Sequence, residues 1–362
     1  MVNSIYVHIP FCKQKCLYCD FNSFQNKENI IDEYMKALYR ECAKFSFGEK
    51  IKTIYIGGGT PSFIDSKYIV ELLNSLPNAE EMTIEMNPCT VTEEKLLDYK
   101  HAGINRISMG LQTTNDSILK EIGRVHTFKE FQKAYELVKK VGFENVNVDL
   151  MFGLPNQTLK DVEESLKYLI SINPTHISCY SLIVHKNIFK NLPSDEEERE
   201  MYYLIKRMLK DAGYEQYEIS NFSKIGYESK HNLAYWNQEE YIGLGAGASS
   251  YYKGERYTNE CNIEKYISKI NSNEDIRNIE EVEMEESKLR EHIILKLRLT
   301  EGICLEEGNE KFGVKIQEIF EKEIEKLQKL NLIEVDLKNN KTYMKLTEKG
   351  MDLANQVWEE FI

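Results

Sequence analysis

The 362 residues carry 59 acidic against 46 basic side chains, a formal charge of −13, and 42% of positions are apolar. An acidic surface of this kind repels phosphate backbones, and with no dense run of Lys and Arg it excludes generic nucleic-acid binding. The length suffices for one large domain and a smaller one, and no apolar run reaches what a membrane helix needs.

The chain enters directly on the alternating segment Ser4-Ile5-Tyr6-Val7-His8-Ile9, without the basic start and apolar core of a signal peptide, so it is expected in the cytosol. Runs rich in Val, Ile, Tyr and Thr, bounded by Gly, Pro and Asn, predict strands at 4–9, 52–57, 82–86, 106–111, 145–151 and 176–183. Between them, Ile31, Tyr34, Leu38, Cys42 and Phe45 recur at three- and four-residue spacing on one helix face, and further helices are predicted over 66–76, 92–101, 128–141 and 158–172. Strands alternating with crossover helices imply a parallel sheet. Six such units are too few for an eight-stranded barrel and suit an open, partial (β/α)6 TIM-like barrel with its site at the strand C-termini. A flat doubly wound sheet is the rival, but a cysteine loop, not a Gly-x-Gly-x-x-Gly turn, follows the first strand.

From about 194 the pattern changes. A helix is predicted over 195–212, an irregular Tyr-, Asn- and Gly-rich segment over 215–260, and an acidic, polar linker over 272–287. Helices near 286–299 and 315–330 come next. A hairpin then turns at Asn339-Asn340 between 332–335 and 343–346, and a last helix runs near 348–361. The expected units are a barrel core over 1–190, an extension over 191–275 and a small C-terminal α+β, winged-helix-like domain over 276–362. The 315–330 helix carries almost as many Glu as Lys and Gln, which suits an interaction or lid module better than a DNA reader.

Eight cysteines in a reducing compartment read as ligands or buried thiols. Cys42, Cys89, Cys179, Cys261 and Cys304 stand singly and read as small buried hydrophobes. Cys12, Cys16 and Cys19 form C-x3-C-x2-C, a spacing that can put three thiolates on three corners of a cubane and leave the fourth iron open to a chelating ligand. A zinc site, which wants a fourth ligand, and a redox pair are the alternatives. The position of the loop, directly after the first strand of a β/α series, favours the cluster. Gly57–Gly59 follow the second strand and let backbone groups approach a ligand closely; a phosphate loop would need Gly-Lys-Ser/Thr where Thr60-Pro61-Ser62 stands. Glu85 ends the third strand, where a carboxylate can accept from ribose hydroxyls, or simply face solvent.

The cysteine signature resembles the radical S-adenosylmethionine (SAM) superfamily. Its surroundings resemble the oxygen-independent coproporphyrinogen III oxidase subfamily: Tyr6-Val7-His8-Ile9-Pro10-Phe11-Cys12, Gly57-Gly58-Gly59-Thr60-Pro61, Asn105-Arg106-Ile107-Ser108-Met109-Gly110-Leu111-Gln112 and Asp149-Leu150-Met151-Phe152-Gly153-Leu154-Pro155, in order. The resemblance implies a [4Fe-4S] cluster on Cys12, Cys16 and Cys19, contacts to cluster-bound SAM from Tyr6, Tyr18, Gly58 and Glu85, and contacts to a second SAM from Gly59, Thr60, Gln112, Arg124 and Asp149. On the residues alone, Gln112 and Asp149 are polar strand ends and Arg124 a solvated helix charge.

Two features point away from the decarboxylase. Phe21 stands where the oxidase has an additional Cys, and His231-Asn232-Leu233-Ala234-Tyr235-Trp236 is similar to the H-N-x-x-Y-W motif of HemW-type heme chaperones. The second resemblance implies heme contacts from His231, Asn232, Tyr235 and Trp236, with His231 as axial ligand and the aromatics packed on the porphyrin. Spacing alone allows a buried aromatic corner in which His231 only makes a hydrogen bond. A Cys–heme linkage through Cys261 is a further alternative. Ser249 stands where a family block usually has His, and His8, His101, His126, His176, His185 and His292 show no metal-site spacing. The expected function is a cytosolic heme chaperone, peripheral at the membrane while it delivers heme to respiratory or other acceptors, with a homodimer as one arrangement. The enzyme alternatives are the oxidase itself and a radical-SAM methyltransferase.

Overall fold

The computed structural model describes residues 2–48, 50–183, 188–282 and 285–362, so His185 and part of the 272–287 segment lie outside the described residues. Strands β1 (Ser4–Ile9), β2 (Lys50–Gly58), β3 (Asn78–Met86), β4 (Arg106–Gln112), β5 (Asn145–Phe152) and β6 (His176–Ser181) pair side by side in sequence order, all parallel. Crossover helices cover the outer face. The helix Ile31–Cys42 buries Tyr34, Met35, Leu38 and Cys42 against the sheet, as its spacing predicts. Thr127 and Thr158 open the helices Phe128–Val141 and Leu159–Ile172 with capping boxes that satisfy the first free amides.

The segment expected to be irregular instead extends this sheet at both edges. Strands β7 (Glu215–Glu218) and β8 (Asn221–Ser223) add antiparallel beside β6. On the other side β9 (Tyr241–Leu244) lies parallel to β1, followed outward by antiparallel β10 (Ser249–Tyr252), β11 (Glu255–Asn259) and β12 (Arg277–Val282). The result is a twelve-stranded sheet in which the expected 272–287 linker is partly strand. These strands are three to six residues long and irregular in register, so a period-two pattern has no room to show. The short helix Lys230–Trp236 sits between them, its N-terminus held by the Ser229 side chain and by Glu81, which accepts from the amides of Lys230 and His231.

Helices lead into a three-stranded sheet of order β13 (Ile303–Cys304), β15 (Lys341–Leu346), β14 (Ile333–Lys338), the winged-helix-like arrangement expected. Asn339 and Asn340 turn the hairpin at positive φ, as a two-residue turn requires. The helix expected over 315–330 is broken at Phe320, whose ring is buried among the C-terminal apolar residues while its backbone leaves helical geometry. The final helix breaks likewise at Leu353. Arg298 ties this unit to the barrel edge: its Nε donates to the fully buried Glu218 at 3.1 Å.

Candidate cluster and cofactor site

The C-termini of β1 to β6 surround a cavity of about 520 Å³, within the range of ~300–1,000 Å³ that suits one drug-sized ligand. Its wall carries many polar side chains, although barrel interiors of this type are ordinarily filled by branched apolar ones. Because alternate strand residues face the same side, β4 contributes Arg106, Ser108, Gly110 and Gln112, β5 contributes Asn147, Asp149 and Met151, and β6 contributes Ser178 and Tyr180.

All three signature cysteines border this cavity. The loop carrying them is pinned from two sides. Cys12 N–H donates to Phe24 O at 2.9 Å, and Leu17 N–H to Ile122 O at 3.1 Å. His8 sits beneath it. Its Nε2 lies 2.8 Å from Asn22 O, which can only accept, so Nε2 carries the proton and Nδ1 accepts from Tyr6 Oη at 2.9 Å. Each sulfur has a polar neighbour: Thr60 Oγ1 at 3.6 Å from Cys12 Sγ, Arg124 Nη1 at 3.7 Å from Cys16 Sγ, and Ser23 Oγ at 3.8 Å from Cys19 Sγ. Burial pushes the Cys12 and Cys19 thiols up from their ordinary range. Three thiols border one cavity, each with a hydrogen-bonding neighbour, and among the described residues no fourth cysteine lines it, a donor set that suits a cubane with one open iron.

The SAM candidates converge on the same space. Gly58 lies at φ +116°, and a Cβ there would meet the His8 ring at 2.7 Å; a Cβ at Gly59 would meet Cys12 Sγ at 2.9 Å. Both positions exclude a side chain. Glu85 is no solvent-facing carboxylate: it accepts from Tyr55 Oη at 2.7 Å and Gly58 N at 3.2 Å, and the enclosing walls raise its carboxyl to about 7. Gln112 sits at φ +71° beside a bulge between β4 and β5, and Tyr180 Oη donates to its Oε1 at 3.1 Å. Asp149 accepts from Asn147 Nδ2 at 2.8 Å, and desolvation raises its pKa. Arg124, which reads alone as a solvated helix charge, is turned inward over the cysteine loop and donates to Gly110 O at 3.0 Å. Tyr18 and Thr60 complete the set on the wall, and Tyr6 donates to His8 beneath the cysteine loop.

The heme candidates divide differently. Asn232 borders the cavity. His231 is 1% exposed, and both its nitrogens are taken, Nδ1 by Thr53 Oγ1 at 2.7 Å and Nε2 by Tyr235 Oη at 2.8 Å. Its ring stacks on Tyr55 at 5.1 Å, and burial, helped by the Arg106 charge, lowers its pKa to about 3. Both nitrogens are hydrogen-bonded here, which is the geometry of the aromatic-corner alternative. Tyr235 is held by His231 and edge-on to Tyr241, and the Arg298 guanidinium lies 4.4 Å over one face of Trp236. Cys261 is exposed.

Sequence reasoning passed over Asn147, His176 and Tyr217, an internal polar network, and the buried Arg106 beside it. His176 bridges Asn147 Oδ1 at 2.6 Å and Tyr217 Oη at 2.9 Å. The available signal was a charged residue and an Asn at inward positions of strands that otherwise read as buried.

Residues 6–169 match the Radical SAM superfamily model, and residues 285–353 match the HemN C-terminal domain. The chain is 39% identical over 382 aligned positions to the heme chaperone HemW of Bacillus subtilis, covering 100% of this chain and 99% of that protein. Its identity to HemW of Lactococcus lactis is 37%, over 99% and 97% of the two chains, and to HemW of Escherichia coli 40%, over 68% and 69%. Among solved structures, coproporphyrinogen III oxidase (HemN) from Escherichia coli superimposes with a TM-score of 0.86 over 99% of this chain and 89% of that one. At 22% identity, that likeness establishes the shared fold.

Proposed function

Because the chain belongs to the HemW family of heme chaperones within the radical-SAM proteins, we propose that it binds a [4Fe-4S] cluster, SAM and heme and passes the heme to an acceptor protein. The observation that carries this reading is the convergence of Cys12, Cys16 and Cys19 with Gly58, Glu85 and Arg124 on one cavity. Cys12, Cys16 and Cys19 would hold the cluster. Bound there, its open iron supplies a chelation point for the amino and carboxylate groups of SAM. Glu85 and the Gly58 amide, now bonded to each other, supply an acceptor and a donor for the nucleoside end of SAM, while Gly59, Thr60, Gln112, Arg124 and Asp149 give a second SAM its polar wall.

Phe21, 65% exposed at the cavity, occupies the place of the oxidase's additional cysteine and supports a chaperone over a decarboxylase. For heme, Asn232 is the contact residue, and the buried His231 with the half-buried Tyr235 and Trp236 is the frame that positions it. Acceptors are heme proteins, respiratory ones among them, and the site of action is the cytosol and its membrane face. Among the described residues no helix is long and apolar enough to cross a membrane. The 1–190 unit would carry the cluster and SAM, 191–275 the heme frame, and 276–362 a docking or lid surface; a homodimer is the assembly to test.

The test is anaerobic reconstitution of the cluster, then heme titration with coproporphyrinogen decarboxylation assayed on the same sample. A stable Soret band without turnover is the expected result. Release of decarboxylated porphyrinogen would make the protein an oxidase, and a methylated product a methyltransferase.

A further inference from the structure

The cofactor contacts argued above cluster toward the cysteine end of the cavity. Its opposite end is built around Arg106, the first residue of β4, six residues or roughly 20 Å of strand from Gln112. Arg106 is 2% exposed and belongs to the cavity wall. Its buried Nε has no hydrogen-bond partner, and among the described residues no carboxylate forms an ion pair with its guanidinium. Glu85 and Asp149 sense its charge at longer range only, while Glu81 is committed to the Lys230–Trp236 helix and Glu218 to Arg298. Burying a guanidinium without a partner is costly, so it is expected to be paired whenever the protein works.

A second orphan borders the same cavity. Asn221 Nδ2 donates to Glu218, a carboxylate that can only accept, which fixes the amide orientation and leaves Oδ1 buried with no donor. Donors without an acceptor and an acceptor without a donor, in one enclosed space, complement a ligand carrying both signs.

We propose that Arg106 is an anion subsite at the inner end of the cavity, receiving the carboxylate of an arm of the bound ligand, with Asn221 Oδ1 available to a neighbouring ammonium. The inference rests on the SAM- and heme-binding reading above. Two ligand sources share the chemistry: the amino-acid arm of the second SAM, since the iron takes that of the first, and a propionate of the tetrapyrrole. The amide acceptor favours the SAM arm.

The test uses reconstituted, anaerobic wild-type, R106Q and R106K proteins in equilibrium binding with two ligand pairs: SAM against decarboxylated SAM, and heme against its dimethyl ester. The cluster iron favours SAM over its decarboxylated form equally in all three proteins, so the change in that ratio isolates Arg106. In R106Q the ratio should fall at least tenfold, with affinity for decarboxylated SAM altered less than threefold; R106K, which keeps the charge, should retain most of the ratio. Thermal unfolding without ligand should show R106Q no less stable than wild type, because an unpaired buried charge has been removed. A fall confined to the heme pair assigns the subsite to a propionate. If wild type binds both ligands and neither ratio changes in R106Q, or if both members of each pair weaken together, the subsite is refuted and the functional reading stands. A wild-type protein that binds neither ligand overturns both.

Discussion

Replacing His231 with Ala separates a structural corner from a heme ligand, because the geometry fixes what the substitution removes. Thr53 is fully buried, and the loss of the imidazole leaves its hydroxyl with no partner, at about 1–3 kcal/mol. The half-buried Tyr235 hydroxyl loses one hydrogen bond, worth about 1 kcal/mol, and Tyr55 loses a stacked ring at 5.1 Å, worth about 0.5–1.5 kcal/mol. Together these predict destabilisation of about 3–5 kcal/mol, a large share of the ~5–15 kcal/mol by which a domain is stable. Urea unfolding of the cluster-free protein measures it, and heme titration of the folded fraction follows on the same preparation. The expected result is a strongly lowered midpoint with an unshifted Soret maximum in whatever remains folded. A Soret band lost or shifted at an unchanged unfolding midpoint would refute the reasoning, since it would show that an imidazole nitrogen reaches iron in the working protein.

Ala at Cys12, Cys16 or Cys19 should each abolish the [4Fe-4S] absorbance after reconstitution, whereas Ala at Cys42, Cys89, Cys179, Cys261 or Cys304 should preserve it; iron and sulfide content per chain decides. Gly58→Ala should lower both thermal stability and SAM affinity: the new methyl meets a His8 ring held at both nitrogens, and a non-glycine residue at φ +116° costs a further ~1–3 kcal/mol of strain. Glu85 titrates near 7 when folded and near 4.5 when unfolded, because burial penalises its charge. Its contribution is therefore fully present below pH 4.5 and is lost as pH rises through 7. Glu85→Gln removes that dependence, so the stability of the ligand-free variant relative to wild type should climb by about 3 kcal/mol between pH 4.5 and pH 8, read from urea midpoints across that range. A flat difference would show that Glu85 is not desolvated.

Much of the fold was legible because β1 to β6 and their helices obey strong local rules. Most of these strands are β-branched or aromatic runs ended by Gly, Pro or Asn, and the helices carry one apolar face. The cysteine loop was legible for the same reason: its chemistry depends on residues close in sequence. What failed was long-range. Whether 215–260 pairs into a sheet depends on the open edges of β1 and β6, which no short window contains. Phe320 breaks a helix whose local pattern is continuous, because its ring is drawn into the C-terminal core. Arg124 faces the cysteine loop rather than water because Leu17 and Gln14 bond the 122–123 turn across more than a hundred residues of chain.

His231 is the instructive case. Sequence resemblance singled out the residue, and the structure agrees that it is special, but in a different sense. The same helix that buries its ring against Tyr55 presents the next residue, Asn232, to the cavity, and one residue's rotation along a short helix is enough to divide frame from contact. Tyr55 in turn donates to Glu85, so the motif and the SAM wall share a wall of packed rings. A change in the helix is thereby felt at Glu85 through two contacts, His231 on Tyr55 and Tyr55 on Glu85. Heme-binding and SAM-binding defects in variants of 231–236 are accordingly expected to appear together, and substitutions that keep the Thr53 and Tyr235 hydrogen bonds should spare both.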